Sequence, residues 1–598
     1  MRKLCLRRCL VLVLTVLLAA PGVAQPGNPQ SPKPTRVVSG LPSATGLLSD
    51  LEFVVGKLAG EQETWEETLY PAAEVFLIGV DMERPIGADL VFDREGGQRK
   101  QLQIPISDLQ EFRDENLEPI DIQSRRRKPD YYQLSSSALG FDGWMRYVDN
   151  YASISTQESD VPAGMASPEK ALQSLLDKAG YDAAAQLRND AEGSSDRQSA
   201  FAEFRENMLA GITRRPTETA EAFTLRKRLA QHQSERLERL FVQAEQVTAG
   251  WITDAVKKEA HGEVLLSALA GTDLATILNR FGTYASYFSA VATTDNSLLH
   301  GRINLPIDKA FRQQANEFYE LVAPVWKQRI DGDAKLNDTQ KTARNKICEL
   351  ALEMLKEGST LDTIDACLEI TPTTDGKHIL LGGIRATDGT KTVEILKLIP
   401  DALGDLALEL DVDKAGTAAI HQFKPTGDVP KTLEAFYGKD QPVYVATSPD
   451  AIWISCGVGS LEKLKETIAL VETTKGEANG DVFVGTIRLG PMLKHLDDLA
   501  VELGISAEQL LGRPVGDAAG DEDEDAGGKK KRKPGQAVLA VDWRGIALPV
   551  LLEGPIDHFG VHVYQQEGVI HAEADVEEGV LKAAGKVIAT VAAEKLGG

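Results

Sequence analysis

The stretch "IGADLVFDREGGQRKQLQIPISDLQEF", residues 86–112, carries the pattern from which we predict the fold class. Two segments that read as strands flank Gly96 and Gly97, and glycine tolerates the positive φ that a tight hairpin turn requires. An amphipathic segment follows Ser107, whose hydroxyl can accept hydrogen bonds from the free amides at the start of a helix. The stretch therefore predicts a β-hairpin followed by a helix.

Two later stretches, which begin at Tyr287 and at Leu408, show the same order of strand, turn, strand and helix. Both have turn-forming residues where the hairpin needs them, and Asp308 can cap the helix of the second stretch. Hairpins force antiparallel pairing, and a helix after each one covers one face of the sheet. We therefore predict an α+β fold of tandem modules, each made of antiparallel hairpins followed by a helix.

A long helical insert interrupts these modules at residues 191–248. Apolar residues recur there at helical spacing on both sides of Arg214, Arg215 and Pro216, which is typical of a helical hairpin. We expect this hairpin to pack on its own protein.

The amino-terminal residues have the pattern of an export signal. Four basic residues precede an apolar run from Leu10 to Ala20, and small residues then end at Ala24. The run is shorter than the roughly 20 residues that span a bilayer. We predict a cleaved signal peptide at residues 1–24 and a flexible leader, rich in proline, serine and glycine, at residues 25–43.

The remaining boundaries follow from changes in composition and pattern. We predict a first α+β module at 44–190, a second at 249–335 and a third at 336–511, then a disordered charged loop at 512–536 and a closing hairpin and helix at 537–598. No later segment of the sequence reaches the length of a membrane span, so the mature chain is expected to have none.

Charge and cysteine content narrow the class of protein. Removal of the four basic residues of the signal peptide changes the formal net charge from −24 to −28. A chain this acidic repels nucleic acids and anionic membrane surfaces. Cys348, Cys367 and Cys456 are the cysteines left, too few for a disulfide framework. The combination indicates an exported protein, periplasmic or secreted, of bacterial type.

The stretch "GDEDEDAGGKKKRKPG", residues 520–535, looks at first like a calcium loop or a nucleic-acid tail. A calcium-binding hand needs glycine where Ala526 stands and glutamate where Arg532 stands. The basic residues lie next to five acidic ones and have no aromatic residue among them to stack on bases. We interpret the stretch as a self-neutralising tether.

Histidines of the last module form the strongest candidate for a metal site. His558, His562, His571 and Glu573 lie on a predicted hairpin around Glu567 and Gly568. A two-residue turn would place His562 opposite Glu573 and diagonal to His571, whereas a three-residue turn would put the two histidines on opposite faces. Exposed strand histidines are the alternative, and we assign no metal ligand.

His300 and His421 occupy similar places in the second and third stretches, where the first has Arg99. A position that accepts arginine is poorly suited to binding a metal. We interpret both histidines as structural or surface residues.

Sequence motifs for catalysis and cofactors are missing: there is no G-x-S-x-G, H-E-x-x-H, C-x-x-C or P-loop motif. The segment "CGVGSLEKL" has Gly457 and Gly459, but Glu462 stands where a third glycine would be needed and would repel a phosphate. Ser460 is predicted to be a helix N-cap and Cys456 a small buried residue. We assign no cofactor and leave catalytic residues unassigned.

Three segments resemble a group of large exported bacterial proteins of unknown function with repeated hairpin-helix modules. They are "AFTLRKRLAQHQSERLERLFVQAEQVTAGWITDA", "GGIRATDG" and "EEGVLKAAG". The resemblance implies export and a modular fold, and it supplies no catalytic residues.

Two hypotheses about function follow. The first is a non-catalytic protein of the envelope or periplasm that binds or organises another envelope or secreted macromolecule. The second is an exported hydrolase whose site is assembled from dispersed residues, with a metal ion at His562 and His571.

Overall fold

A computed structural model describes residues 35–92, 98–137, 140–165, 167–176, 180–291, 296–474, 476, 478–504 and 543–596. The predicted signal peptide at 1–24 and the predicted charged loop at 512–536 lie outside these residues, as do Gly96 and Gly97 of the first hairpin turn.

The described chain contains twenty β-strands. They are β1 Thr35–Leu41, β2 Ile86–Phe92, β3 Gln98–Pro105, β4 Gln123–Lys128, β5 Tyr131–Ser136, β6 Phe141–Val148, β7 Tyr151–Ser155, β8 Ala183–Arg188, β9 Ala244–Asp254, β10 Glu259–Ala268, β11 Leu299–Pro306, β12 Thr363–Pro372, β13 His378–Arg385, β14 Leu406–Ala415, β15 Ala418–Pro425, β16 Val443–Thr447, β17 Ala451–Cys456, β18 Asp481–Arg488, β19 His558–Gln566 and β20 Val569–Val576.

Helices connect these strands. The α-helices are α1 Ala44–Leu51, α2 Gln62–Thr64, α3 Tyr70–Val75, α4 Leu109–Glu111, α5 Glu169–Leu176, α6 Ser194–Ala210, α7 Ala220–Gln243, α8 Asp273–Leu278, α9 Lys309–Gly332, α10 Asp338–Gly358, α11 Thr392–Leu396, α12 Ile399–Leu403, α13 Lys431–Tyr437, α14 Ser460–Thr473, α15 Leu489–Leu503, α16 Trp543–Leu551 and α17 Glu578–Leu596. Segments of π-helix at Glu52–Leu58, Trp65–Leu69 and Phe112–Leu117 extend α1, α2 and α4. None of the helices in the described part of the chain is both long enough and apolar enough to cross a membrane.

All twenty strands form one antiparallel sheet. From edge to edge the order is β4-β5-β6-β7-β3-β2-β1-β8-β9-β10-β20-β19-β18-β11-β12-β13-β17-β16-β15-β14. A large antiparallel sheet with helices packed on it is an α+β fold, which confirms the predicted class.

The two halves of the sheet have the same strand order. From its edge inward the first half runs from β4 to β10, and the second half repeats this order with each strand number raised by ten, from β14 to β20. The pairing of β10 with β20 joins the halves. The centre of the sheet therefore lies between two strands that are far apart in sequence.

The three stretches with the predicted hairpin-helix pattern occupy different places in this order. The stretch from Ile86 forms β2 and β3, followed by α4, and the stretch from Leu408 falls within β14 and β15, followed by α13. In the stretch from Tyr287, the described residues contain one strand, β11, and Tyr287 to Ala290 form turns. The strand order makes β12 and β13 the counterparts of β2 and β3, whereas the sequence pattern compares β2 and β3 with β14 and β15.

The expected flexible leader at 25–43 needs a correction, because Thr35–Leu41 forms β1. This strand pairs with β2 on one side and β8 on the other, so its backbone amides and carbonyls have partners in the sheet. Ser39 and Gly40 within this strand are typical of a flexible segment, which led to the wrong prediction, although Val37 and Val38 favour a strand. Ser43 then caps α1 by accepting a hydrogen bond from the Gly46 amide.

Both edges of the sheet are protected by charge. The edge strand β4 has the sequence QSRRRK, and the edge strand β14 has the sequence LALELDVDKA; most of their charged residues are exposed. Charged residues on an edge strand oppose pairing with the edge of another molecule. The sheet is therefore built to end at these two strands.

The predicted insert at 191–248 contains α6 and α7, and α7 packs against α9. Arg228 Nε lies 2.6 Å from Glu317 Oε1, and His232 Nε2 lies 3.1 Å from the other oxygen of the same carboxylate. An ion pair and a neighbouring histidine contact between helices thus fix the insert to its own protein.

Candidate functional site at the junction of the two halves

The strand pair β10 and β20 brings two carboxylates together at the centre of the sheet. Glu263 of β10 and Glu573 of β20 are directly opposite each other in the antiparallel register. Directly opposed residues point to the same face of a sheet, with Cβ atoms about 5 Å apart. Two negative charges in this position repel each other, and this repulsion lowers the stability of the strand pair.

The turn between β19 and β20 sets the register of the site. Glu567 and Gly568 both have positive φ, 51° and 84°, as a two-residue type I′ turn requires. His562 consequently lies opposite Glu573, and Tyr564 opposite His571. Of the two turn lengths considered from the sequence, the shorter one is present.

Glu263, His571 and Glu573 form a compact group of ligand atoms. One oxygen of each carboxylate and one imidazole nitrogen all lie within 4.8 Å of one another. His571 Nδ1 is 3.6 Å from Glu263 Oε1, is shielded from solvent, and has no hydrogen-bond partner among the described residues. The group has the donor atoms and spacing that a metal ion could use.

Two tyrosines hold the carboxylates from outside the group. Tyr181 Oη donates to Glu263 Oε2 at 2.5 Å, and Tyr564 Oη donates to Glu573 Oε1 at 2.7 Å. The hydrogen bond to Glu573 raises the pKa of Tyr564 to about 12, and burial together with the bond to Glu263 raises the pKa of Tyr181. Both phenols therefore remain protonated donors at neutral pH.

Tyr181 reaches Glu263 because Gly250 of β9 leaves room for its ring. A Cβ atom on Gly250 would lie 2.1 Å from the nearest ring atom of Tyr181. This close approach explains a glycine in the middle of a strand, where the residue otherwise lowers stability.

A second polar row continues from the site across the same face. His562 Nε2 lies 2.9 Å from Asp481 Oδ1, and Arg302 donates to Asp481 Oδ2 at 2.9 Å. Arg302 and Asp481, with Ser286 and Asn304, line a cavity of about 10 Å³. This volume is close to that of one water molecule, which makes the cavity too small for an organic substrate.

The structure separates the residues that the sequence offered as a candidate metal site, to which no metal was assigned. His571 and Glu573 are together, but His562 pairs with Asp481 and His558 Nδ1 pairs with Glu577 Oε2 at 2.9 Å. The third member of the observed group is Glu263, which the sequence did not single out. Nothing in the sequence around Glu263 marks it, because the residue reaches the site only through the pairing of the two halves.

His300 and His421 are buried, with 2% and 1% of their surfaces exposed. His421 Nδ1 accepts a hydrogen bond from the Asp411 amide, and its Nε2 lies 3.1 Å from Thr447 Oγ1. Burial lowers the pKa of both histidines, which favours the neutral form. These side chains are core residues on β11 and β15.

The segment around Cys456 differs from its prediction in two respects: Cys456 is half-buried, where a buried residue was expected, and Ser460 is not the N-cap. The helix α14 begins at Ser460, and Gly459 is its N-cap, with a φ of 79°. The Ser460 hydroxyl is buried and has no hydrogen-bond partner among the described residues, so it does not cap the helix. Burial raises the pKa of Cys456, which opposes the thiolate that a nucleophile would need.

The opposite face of the central strands is apolar. We call it the apolar floor and define it by two adjacent rows of residues that are paired from β9 to β17. They are Ala249, Trp251, Gly262, Val264, Ala572, Ala574, Val561, Val563, Phe483, Gly485, Gly301, Ile303, Ala366, Leu368, Gly382, Ile384, Ile452 and Ile454.

Large side chains of the apolar floor are exposed. Trp251, Val264, Leu368, Ile384 and Ile454 are each between 38% and 45% exposed. A sheet face that meets water normally carries polar residues in alternation with the buried ones. Large contiguous patches of exposed apolar surface are uncommon on folded proteins and are typical of binding surfaces.

Helices cover this face of the sheet on both sides of the apolar floor. On one side, Met492 of α15 and Phe436 of α13 pack with Ile370, and Leu581 of α17 packs with Val576. On the other side, Leu274 and Leu278 of α8 pack with Leu266 and Ile570. At the β17 end, Leu396 of α11 packs with Val445, which pairs with Ile454 of the floor. Helices therefore border the floor on both sides and at this end.

Comparison with known proteins found no match: no protein-family model, no curated protein and no solved structure matches the chain.

Proposed function

We propose that the chain is an exported, non-catalytic binding protein that holds an extended aliphatic chain, such as the acyl chain of a lipid, on its apolar floor. The observation that carries the proposal is the exposure of five large apolar side chains on one face of the central sheet: Trp251, Val264, Leu368, Ile384 and Ile454. Export rests on the amino-terminal sequence pattern.

The chemistry of the floor supports this choice of ligand. The side chains in its two rows are aliphatic or aromatic, apart from glycines that have none, and the one polar group among them, the indole N–H of Trp251, donates to Thr253 Oγ1 at 3.1 Å. Such a surface therefore recognises a ligand through burial of apolar area, at about 25 cal/mol per Å². An aliphatic chain has no polar group that needs a hydrogen bond, so it is the ligand class that suits this surface.

The dimensions also suit a long chain. The floor crosses nine strands from β9 to β17, and eight spacings of about 4.8 Å give a length of roughly 40 Å. Gly262, Gly301, Gly382 and Gly485 lie along one row. The space above Gly301 is open, with no atom within 4 Å of the position of a Cβ, whereas the ring of Phe483 lies over Gly485.

Fatty-acid binding by the mature chain tests the proposal. Titration with palmitate should change the fluorescence of Trp251, and Trp251→Phe should remove that part of the signal. Val264→Asp and Ile384→Asp place a charge on the floor and should weaken binding at least tenfold. Val256→Asp is the matched control, because Val256 lies in the turn between β9 and β10 and is 94% exposed. Equal binding by the floor variants and the control, or no binding by the wild type, would contradict the proposal.

A repeated architecture is part of the proposal. We infer that the chain consists of repeated units and belongs with the large exported bacterial proteins that it resembles. The equal strand order of the two halves supports a ten-strand unit as the repeat, with hairpin-helix segments inside it.

An exported metal-dependent hydrolase is the second candidate function. Glu263, His571 and Glu573 favour it, because three protein ligands leave a fourth position where a metal can activate water. Zinc-dependent hydrolysis of p-nitrophenyl acetate that disappears in His571→Ala would support this function. A zinc-loaded protein without hydrolytic activity on ester, phosphate and peptide substrates would count against it.

A further inference from the structure

We propose that Glu263, His571 and Glu573 bind one zinc ion, which fastens the two halves of the sheet to each other. The inference is independent of the ligand proposed for the apolar floor and of any hydrolytic activity. It concerns a metal site built from one strand of each half.

The arrangement of charge is the first argument. Two glutamates opposite each other on antiparallel strands destabilise the pair, and here they stand at the junction of the halves. A divalent cation between the carboxylates converts this repulsion into attraction. His571 does not fully offset the repulsion by itself, because its Nδ1 is 3.6 Å from Glu263 Oε1, beyond hydrogen-bond distance.

The unsatisfied imidazole is the second argument. His571 Nδ1 is shielded from solvent and has no hydrogen-bond partner among the described residues, and leaving a buried polar atom unpaired has a cost. The ring of Tyr564 stacks on the imidazole with centroids 4.8 Å apart, which holds the ring orientation. A metal ion within the group supplies the missing partner.

The surrounding hydrogen bonds match those of a metal site. Tyr181 and Tyr564 each donate to one oxygen of a carboxylate, which leaves the other oxygen of Glu263 and of Glu573 for a cation. Such outer partners orient the ligands of metal sites and raise affinity. The donors sit on separate elements, so the carboxylates are fixed before a metal arrives.

The donor set selects the metal. One imidazole nitrogen with two carboxylate oxygens suits zinc, whereas calcium and magnesium prefer six or more oxygen ligands. Among divalent ions of the first transition row, zinc binds such sites more tightly than manganese or iron. Zinc would keep a fourth, water-filled position.

Calorimetry on the mature chain, stripped of metal with a chelator and dialysed, tests the proposal. We expect one zinc ion per chain, at least tenfold weaker binding in Glu263→Gln and His571→Gln, and about tenfold weaker binding in Tyr564→Phe. Zinc should also raise the melting temperature of the wild type, because a ligand that binds only the folded state stabilises it. A hundredfold excess of calcium should not displace zinc.

His261→Gln is the matched control. His261 lies on the same strand and the same face as Glu263 but is exposed and pairs with Asp575. Its loss should leave zinc binding unchanged. Zinc binding that is absent from the wild type, or equal in His571→Gln and the wild type, would overturn the proposal. If the ligand variants do not fold, the wild type alone tests the proposal. A melting temperature that zinc leaves unchanged would then overturn it.

Discussion

Glu263 and Glu573 stand directly opposite each other on β10 and β20, although one belongs to the first half of the sequence and the other to the second. Their side chains share a face, and the imidazole of His571 lies within 4.8 Å of both carboxylates. The centre of this large sheet is thus a charged position.

Glu263→Gln should have opposite effects with and without zinc. In chelator the substitution removes the repulsion from Glu573 and should raise the free energy of unfolding by about 0.5 kcal/mol. With saturating zinc it removes a ligand and should lower the free energy of unfolding relative to the wild type. Urea denaturation in the two buffers measures both effects, and the same sign in both would contradict the expectation.

Gly250→Ala should destabilise the protein and displace Tyr181. The new Cβ would lie 2.1 Å from the tyrosine ring, so the ring must move and lose its hydrogen bond to Glu263. We expect a loss of about 2 kcal/mol in the free energy of unfolding. Gly301→Ala is the matched control, because no atom lies within 4 Å of its Cβ position and the loss there should be near zero.

Arg488→Ala should strongly lower the free energy of unfolding. Asp557 is 1% exposed, and its carboxylate accepts hydrogen bonds from Arg488 Nε at 2.9 Å and from the Gly490 amide at 2.7 Å. Removal of the arginine leaves a buried charge without its counter-ion, which costs about 3 kcal/mol or more. Lys494→Ala, which breaks an exposed pair with Asp498, should cost about 0.5 kcal/mol. Denaturation of the two variants under one condition gives the comparison.

The contribution of Asp50 to the free energy of unfolding should fall as pH rises. Burial and the nearby charge of Asp182 raise the pKa of Asp50 in the folded state to about 6. The folded protein therefore binds this proton more tightly than the unfolded chain, whose aspartates have a pKa near 4. Its contribution is most favourable below about pH 4 and is lost as pH rises to 6. Asp50→Asn should flatten this part of the pH profile of stability and be more stable than the wild type at pH 7.5.

Local features of the fold were accessible from the sequence. The alternation of apolar and polar residues and the turn residues predicted antiparallel hairpins, and the two-residue turn at Glu567 and Gly568 places His562 opposite Glu573 as that turn length requires. These relationships depend only on residues within one hairpin. The α+β class follows from the same local patterns.

Pairings between distant segments were not accessible. Glu263 meets His571, and Tyr181 meets Glu263, only because β10 pairs with β20 and β9 pairs with β8. No local pattern specifies which strands become neighbours when all of them are short and apolar on one face. The same reason explains β1, which became a strand through partners at β2 and β8.

The pairing of β10 with β20 has a consequence for the nascent polypeptide. Translation proceeds from the amino terminus, so the first ten strands can assemble while β20 is still missing, and β10 is then a temporary edge open to pairing with another copy. An inward charge such as that of Glu263 in the middle of this edge would discourage such association until the carboxyl-terminal hairpin is made. The residue that is costly at the centre of the finished sheet would then act as a guard against aggregation during biosynthesis.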